Sequence, residues 1–229
     1  MPNKVASLEK VSKIYGKDNL IVKALDKVTL DIFQGNYLAV MGASGSGKTT
    51  LIKYLLSCKE LNLKFSISAC SRNKRVNEID GKDYMFLSID EFKSRIKSND
   101  FLEWEEVYKD HFYGTLKSKT LEILNSGKNI LFDVDVQGAL SIKKFFSTRA
   151  VSIFVQTPSI SIARERLINR GTDSFNKIEI RLKKIKHEMS IGKKMDYESI
   201  NDDLVLSQKK IYQLVNKFIE LRKLDYYLG

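Results

Sequence analysis

Proline and cysteine are nearly absent. Pro2 and Pro158 are the only prolines in 229 residues, and no Ser/Gly-rich linker or internal repeat marks off two independent domains. Cys58 and Cys70 are too few for a disulfide framework, and their neighbours offer no metal-ligand spacing, so both read as ordinary thiols. No apolar run approaches the ~20 residues that a membrane-spanning helix needs, and the opening MPNKVASLEK lacks the apolar core of a secretory signal. A cytosolic location without membrane attachment is therefore expected. What is present, 43% hydrophobic and 29% charged residues, is the composition of a folded soluble chain and excludes disorder, collagen and coiled coil.

Acidic residues are also in deficit, 28 against 39 basic ones, for a formal charge of +11. A basic chain invites a nucleic-acid partner, but the lysines are scattered and no zinc-finger spacing or RNA-binding aromatic signature accompanies them. No nucleic-acid partner is expected. Arginine is scarcer and better placed, with one group at Arg72 and Arg75 and a second across residues 164–181.

Apolar patterning divides the chain. Residues 5–15 and 24–33 carry alternating or β-branched apolar positions and predict two strands. Tyr37-Leu38-Ala39-Val40-Met41 is a continuous apolar run, expected of a strand buried on both faces. Further apolar runs at 64–68, 129–132 and 151–155 alternate with helical stretches near 116–126, 137–146 and 159–169, and a C-terminal helix is expected over about 208–224. The alternation predicts an α/β fold with a parallel sheet flanked by helices. Residues 70–115 break the rhythm and predict an inserted subdomain.

Gly42-Ala43-Ser44-Gly45-Ser46-Gly47-Lys48-Thr49 satisfies G-x-x-x-x-G-K-[ST] between a buried strand and a helix, the context that a phosphate-binding loop (P-loop) requires. Glycines let successive N–H groups turn around phosphates, and the helix N-terminus adds its positive dipole end. Lys48 can reach the β/γ-phosphates, Thr49 can ligate Mg²⁺, and Thr50 continues the site into the helix. ATP or GTP is implied, though not what is done with it.

Two resemblances meet at this motif. LEKVSKIYG and ALDKVTLDIFQGNYLAVMGASGSGKTTL, over about residues 5–52, resemble the start of an ABC transporter ATP-binding subunit of the lipoprotein-releasing type, in which Tyr15 would stack on adenine. The downstream marks of that family are missing: no LSGGQ-type signature, no apolar strand ending in Asp-Glu, and no suitably placed histidine, since His111 and His187 are the only two. From about residue 38 to 222 the chain resembles guanylate kinase, through FSISACSRNKR, NEIDGKDYMFLS, FLEWEEVY, FYGTLKS, ILFDVDVQGA, RERLINRGTDS and INDDL. This second resemblance implies a P-loop core over 37–68, a GMP-binding subdomain over 69–118, core over 119–168, a helical lid over 169–185 and core over 186–229. Residues 1–36 then form an added β extension.

The guanylate kinase resemblance implies ATP-dependent phosphorylation of GMP or dGMP with Mg²⁺. Guanine offers two parallel donors, N1–H and N2–H, which one carboxylate can accept and adenine cannot match. Glu103 would supply that carboxylate, with Ser68, Thr115 and Asp135 as further polar contacts. The acceptor phosphate would be held by the forked donors of Arg72 and Arg75 and the hydroxyls of Tyr84 and Tyr113. Lys48 and lid arginines Arg166, Arg170 and Arg181 would surround the moving phosphoryl group. Asp133 would orient the magnesium shell, or else cap the helix ahead of Gln137; Asn201 would lie near adenine. Two departures are visible. EEVYKDHFYG is one residue longer than usual, and Asn73-Lys74 replaces the customary proline between the two arginines.

Taken singly, each residue has an ordinary alternative: an exposed strand Glu, a core Tyr, a solvated Arg. Two other functions also stay open, an ABC-type ATPase and a non-catalytic guanylate-kinase-like interaction module. The extension is testable by itself. If Tyr15 stacks on adenine, removing residues 1–35 raises the KM for ATP, whereas an unchanged KM in a folded product excludes that role.

Overall fold

In the computed structural model the backbone is described for residues 4–15, 22–33, 37–171 and 174–228, and side chains for 37–171 and 174–221. Two strands open the chain, β1 (Lys4–Tyr15) and β2 (Val22–Phe33), paired antiparallel with Tyr15 opposite Val22. They match the two strands expected from patterning. The stacking expected of Tyr15 lies outside the described side chains.

The core alternates as the apolar runs require. β3 (Tyr37–Gly42) leads through the P-loop into α1 (Lys48–Ser57), and β4 (Leu63–Phe65) follows. After an interruption come α3 (Lys117–Asn125), β9 (Asn129–Asp133), α4 (Val136–Phe146), β10 (Ala150–Gln156), α5 (Ile160–Arg170), α6 (Phe175–Gly192), β11 (Tyr197–Ile200) and α7 (Leu204–Leu228). The five strands form one parallel sheet in the order β11-β10-β3-β9-β4. The expected α/β architecture is thus present. β11, the end of α6 beyond the helical lid expected to residue 185, and the first turn of α7 were not anticipated; YESI is short and alternates only weakly.

Period-two alternation splits the central strands between two apolar layers. Tyr37, Ala39 and Met41 of β3 join Ile130 and Phe132 of β9 and Phe154 of β10 in a layer shared with α4, α5 and α6. Leu38 and Val40 join Leu131, Val151, Ile153 and Val155 in the opposite layer, with α1 and α7. Asp196, just ahead of β11, pins the first layer's edge: it accepts from Lys143 Nζ (2.8 Å) of α4 and from the Ser152 N–H (2.8 Å) and Oγ (2.7 Å) of β10.

Residues 69–116 form the interruption. β5 (Ala69–Cys70), β6 (Met85–Phe86), β7 (Phe101–Tyr108) and β8 (His111–Leu116) make a four-stranded sheet in the order β6-β5-β8-β7, covered by α2 (Ile89–Lys97). It has its own core, in which Phe92 stacks on Phe101 and Phe112 at 4.4 and 5.5 Å between ring centroids. α2 is capped by Ser88, whose hydroxyl accepts from Glu91 N–H, with Asp90 and Glu91 in the first turn and Arg95 and Lys97 in the last. The β7–β8 turn ahead of Tyr113 is irregular: the register shifts between Glu106 and Tyr108, and Asp110 takes φ +61°.

α6 lies close on β10. A Cβ built on Gly192 would stand 2.4 to 2.7 Å from three ring atoms of the fully buried Phe154. Gly192→Ala is therefore expected to destabilise the protein by about 1–3 kcal/mol through overpacking. An unchanged urea midpoint would show that α6 can shift without cost.

Candidate active site

The loop of residues 42–49 sits at the carboxyl end of β3. Its glycines are required by geometry: Gly45 and Gly47 have φ of +78° and +82°, which side chains with a Cβ rarely adopt. α1 begins at Lys48 with Gly47 as N-cap and no side-chain cap, so the first N–H groups of the helix remain available to an anion. Gly42 through Thr50 line a cavity of about 550 Å³ together with Arg166, Arg170 and Arg181. Residues more than a hundred positions apart in sequence thus converge on one positive pocket.

The cations are held differently. Lys48 Nζ pairs with Asp133 at 2.6 Å. Arg166 is clasped by two carbonyls, donating from Nη1 to Asn201 (2.9 Å) and from Nη2 to Asp202 (3.3 Å). Arg181 Nη1 lies 3.5 Å from the Ser44 hydroxyl. Arg170 closes the last turn of α5, ahead of Gly171 in the left-handed conformation. Glu188 of α6 is a largely buried acid on this side, with its side chain 14% exposed. Burial pushes its carboxyl up, against the pull of Lys184 and Lys48.

A second site is built on the four-stranded sheet. Glu103 of β7 accepts from the Thr115 hydroxyl of β8 at 2.5 Å. Burial is the main reason its carboxyl rises to about 7; Thr115 opposes the rise, and Asp135 and Glu105 add to it. Asp135 caps α4, its Oδ1 accepting from Gly138 N–H at 2.7 Å. A Cβ on Gly138 would lie 3.1 Å from Glu103 Oε2 and 3.2 Å from Asp135 Oδ1, so glycine keeps the two carboxylates close above the helix start. Beside them, Arg72 donates from Nη1 and Nη2 to Glu78 (2.7 and 2.5 Å) and from Nε to the Tyr113 hydroxyl (3.1 Å). Its guanidinium also lies 5.0 Å from the centre of the Tyr84 ring, which meets Tyr113 edge-on. Phe112 turns the other way into the core.

The short β9–α4 connection links the two sites. Asp133, at its start, holds Lys48, and Asp135, at its end, adjoins Glu103. β9 is hydrogen-bonded directly to β3, so whatever follows it emerges beside the P-loop.

Comparison with known proteins agrees with this architecture. The family model described as guanylate kinase matches residues 34–220. The chain belongs to the guanylate kinase family. Guanylate kinase of Bacteroides fragilis is 51% identical over 176 residues, which cover 77% of this chain and 86% of that one. The corresponding protein of Porphyromonas gingivalis is 48% identical, over 80% of this chain and 97% of its own. Among solved structures, guanylate kinase from Anaplasma phagocytophilum superposes with a TM-score of 0.63 at 27% identity, over 80% of this chain and 85% of that one.

Against that family, several expectations shift in detail. Gly42 to Thr50, Lys48 among them, do share one cavity with Arg166, Arg170 and Arg181. Asp133 does not cap α4, because Asp135 stands one residue before the helix and takes that place. Asn201, expected near adenine, directs its amide at the P-loop backbone, donating to the Ser46 carbonyl at 2.7 Å. The lid boundary expected at residue 185 falls inside α6. Arg75 is exposed and contributes its backbone N–H to Glu78, while Ser68 uses its carbonyl to pair with Met85 N–H.

Glu78, Glu105 and Glu188 were not singled out from sequence. Glu78 stands six residues after Arg72 in an irregular loop, where no periodicity pairs them; its carboxyl is held at about 2, first by the Arg72 fork and then by Arg75 N–H. Glu105 follows Glu103 by two on β7, the spacing that shares a strand face, and that was a usable signal. Its carboxyl is raised by burial and then by Asp135, and lowered by Lys184 of α6.

The Glu103 shift has a measurable sign. A carboxyl whose folded value is raised stabilises the fold fully below its unfolded value near 4.5, and that contribution is lost as pH climbs through about 7. Relative to Glu103→Gln, the wild type should gain about 1.4 kcal/mol of stability between pH 8 and pH 6. Parallel urea titrations at the two values check this, and equal pH dependence of both proteins would refute it.

Proposed function

We propose that this chain transfers the γ-phosphoryl group of ATP to GMP, giving ADP and GDP. The observation that carries this reading is the β9–α4 connection. It joins a P-loop cavity rich in cations to a second cluster, Glu103 and Asp135 with Arg72, Tyr84 and Tyr113 beside them.

In this reading Glu103 accepts N1–H and N2–H of guanine, with Ser68, Thr115 and Asp135 as further polar contacts. Arg72, Arg75, Tyr84 and Tyr113 hold the acceptor phosphate. Glu78 fixes the fork of Arg72 in advance, so less rotamer entropy is lost on binding. The P-loop amides and Lys48 hold the ATP phosphates, while Arg166, Arg170 and Arg181 balance the charge that spreads over the transferring group. Lid movement would bring Arg170 and Arg181 inward and exclude water. Residues 169–185 serve as that lid, 69–118 as the acceptor subdomain and the remainder of 37–229 as the core. Residues 1–36 are an extension of ABC-subunit type.

Mg²⁺ fits this donor set. Thr49 lines the cavity and Asp133 stands beside Lys48; one or two protein oxygens are what Mg²⁺ takes when phosphates and water supply the rest. When bound, the ion neutralises charge on the β- and γ-phosphates. Such a nucleotide enzyme suits the cytosol. Among the described residues no helix is long and apolar enough to cross a membrane.

A coupled assay for ADP formation tests the reading. GMP should support turnover and AMP should be poorer by at least about 10³-fold, given the unpaired donors and acceptors that adenine would leave. Lys48→Ala should lower kcat by about 10²–10³-fold. Hydrolysis independent of GMP would point instead to an ABC-type ATPase, and nucleotide binding without turnover to an interaction module.

A further inference from the structure

One buried residue reaches two walls of the P-loop cavity. Asn201 follows β11 and is 4% exposed. Its backbone N–H donates to the Gln156 carbonyl at the end of β10 (2.8 Å), which fixes it at the carboxyl edge of the sheet. From there its side-chain Nδ2 donates to the Ser46 carbonyl at 2.7 Å, and its own carbonyl accepts from Arg166 Nη1 at 2.9 Å. The fit is close: a Cβ on Gly47 would stand 2.3 Å from the same Nδ2.

A planar trans peptide points its C=O and its N–H in opposite directions. Drawing the Ser46 carbonyl toward Asn201 therefore turns the Gly47 N–H away from Asn201, and Gly47 lines the cavity while Asn201 does not. The amide nitrogen is the essential atom, since a carboxylate of the same shape would set an acceptor against the Ser46 carbonyl.

We propose that Asn201 is a positioning residue for the donor-phosphate site. Its side chain orients the P-loop amides, and its backbone holds Arg166 against the same cavity. The role rests on reading that cavity as the site of the ATP phosphates. It differs from an adenine contact, because it acts on phosphate whether or not a base is attached.

Asn201→Asp and Asn201→Ala are compared with the wild type in three titrations. GMP binding is followed by fluorescence of Trp104, the only tryptophan, adjacent to Glu103; ADP and inorganic tripolyphosphate are followed by calorimetry. Both variants should bind GMP within about twofold of wild type and lose about 10- to 100-fold in affinity for ADP and for tripolyphosphate alike. In the kinase assay kcat/KM for ATP should fall while KM for GMP holds. Weakened ADP with unaffected tripolyphosphate would assign Asn201 to the base and overturn the proposal. Unchanged ADP affinity would overturn it too, as would an equal loss of GMP affinity, the mark of a general structural defect. A wild type that binds ADP but does not phosphorylate GMP would remove the proposed function and still leave the titrations to decide Asn201.

Discussion

A strand buried on both faces can offer polar groups only at its ends, and that constraint organises this molecule. β3, β9 and β10 send every other side chain into one of two apolar layers, and the side chains of Tyr37 to Met41 are almost wholly sequestered. At roughly 25 cal/mol per Å², such burial dominates the stability of the core and leaves little tolerance for charge inside it. Phosphate chemistry is thereby confined to the carboxyl edge. There the strands stop, α1 exposes its first amides, and the β9–α4 and β11–α7 connections arrive.

Charge at that edge is arranged as preorganisation. Lys48 is matched to Asp133, and Arg166 rests on two carbonyls rather than on a carboxylate. A carbonyl clasp fixes direction while leaving the full positive charge of the guanidinium to act on a ligand. Arg72 is handled in the opposite way, with Glu78 taking two arms of its fork. The two side chains are only 11% and 16% exposed, so the cost of desolvation offsets much of their attraction and the value of the pair lies in geometry more than in stability.

What could be read from sequence was what lies close together in it. The P-loop is contiguous, and each of its positions has a local reason: left-handed glycines, a helix start, a lysine at the mouth. The parallel sheet was legible because β3, β9 and β10 are uninterrupted apolar runs. The clasp on Arg166 and the amide of Asn201 on Ser46 were not, since they join residues 35 and 155 positions apart and exist only once β11 is paired to β10. Asp133 and Asp135 show the limit most sharply. Both read as acids after an apolar strand, but the helix start at Val136 makes the second the cap and frees the first for Lys48.

In the proposed reading, the placement of charge also lets the acceptor be held in one sense only. The acids Glu103 and Glu105 of β7 gather with Asp135, the cap of α4, and burial raises Glu103 and Glu105. Arg72 stands beside them, over the Tyr84 ring and on the Tyr113 hydroxyl, with Tyr113 opposite Glu105 in the β7–β8 register. A nucleoside monophosphate is itself dipolar, with an anionic phosphate at one end and, in guanine, hydrogen-bond donors at the other. On that reading, reversal would set a dianion against these carboxylates and guanine N–H donors against the Arg72 cation, unfavourable in both places. In the proposed function, selection of the base and orientation of the acceptor thus share one asymmetric placement of charge.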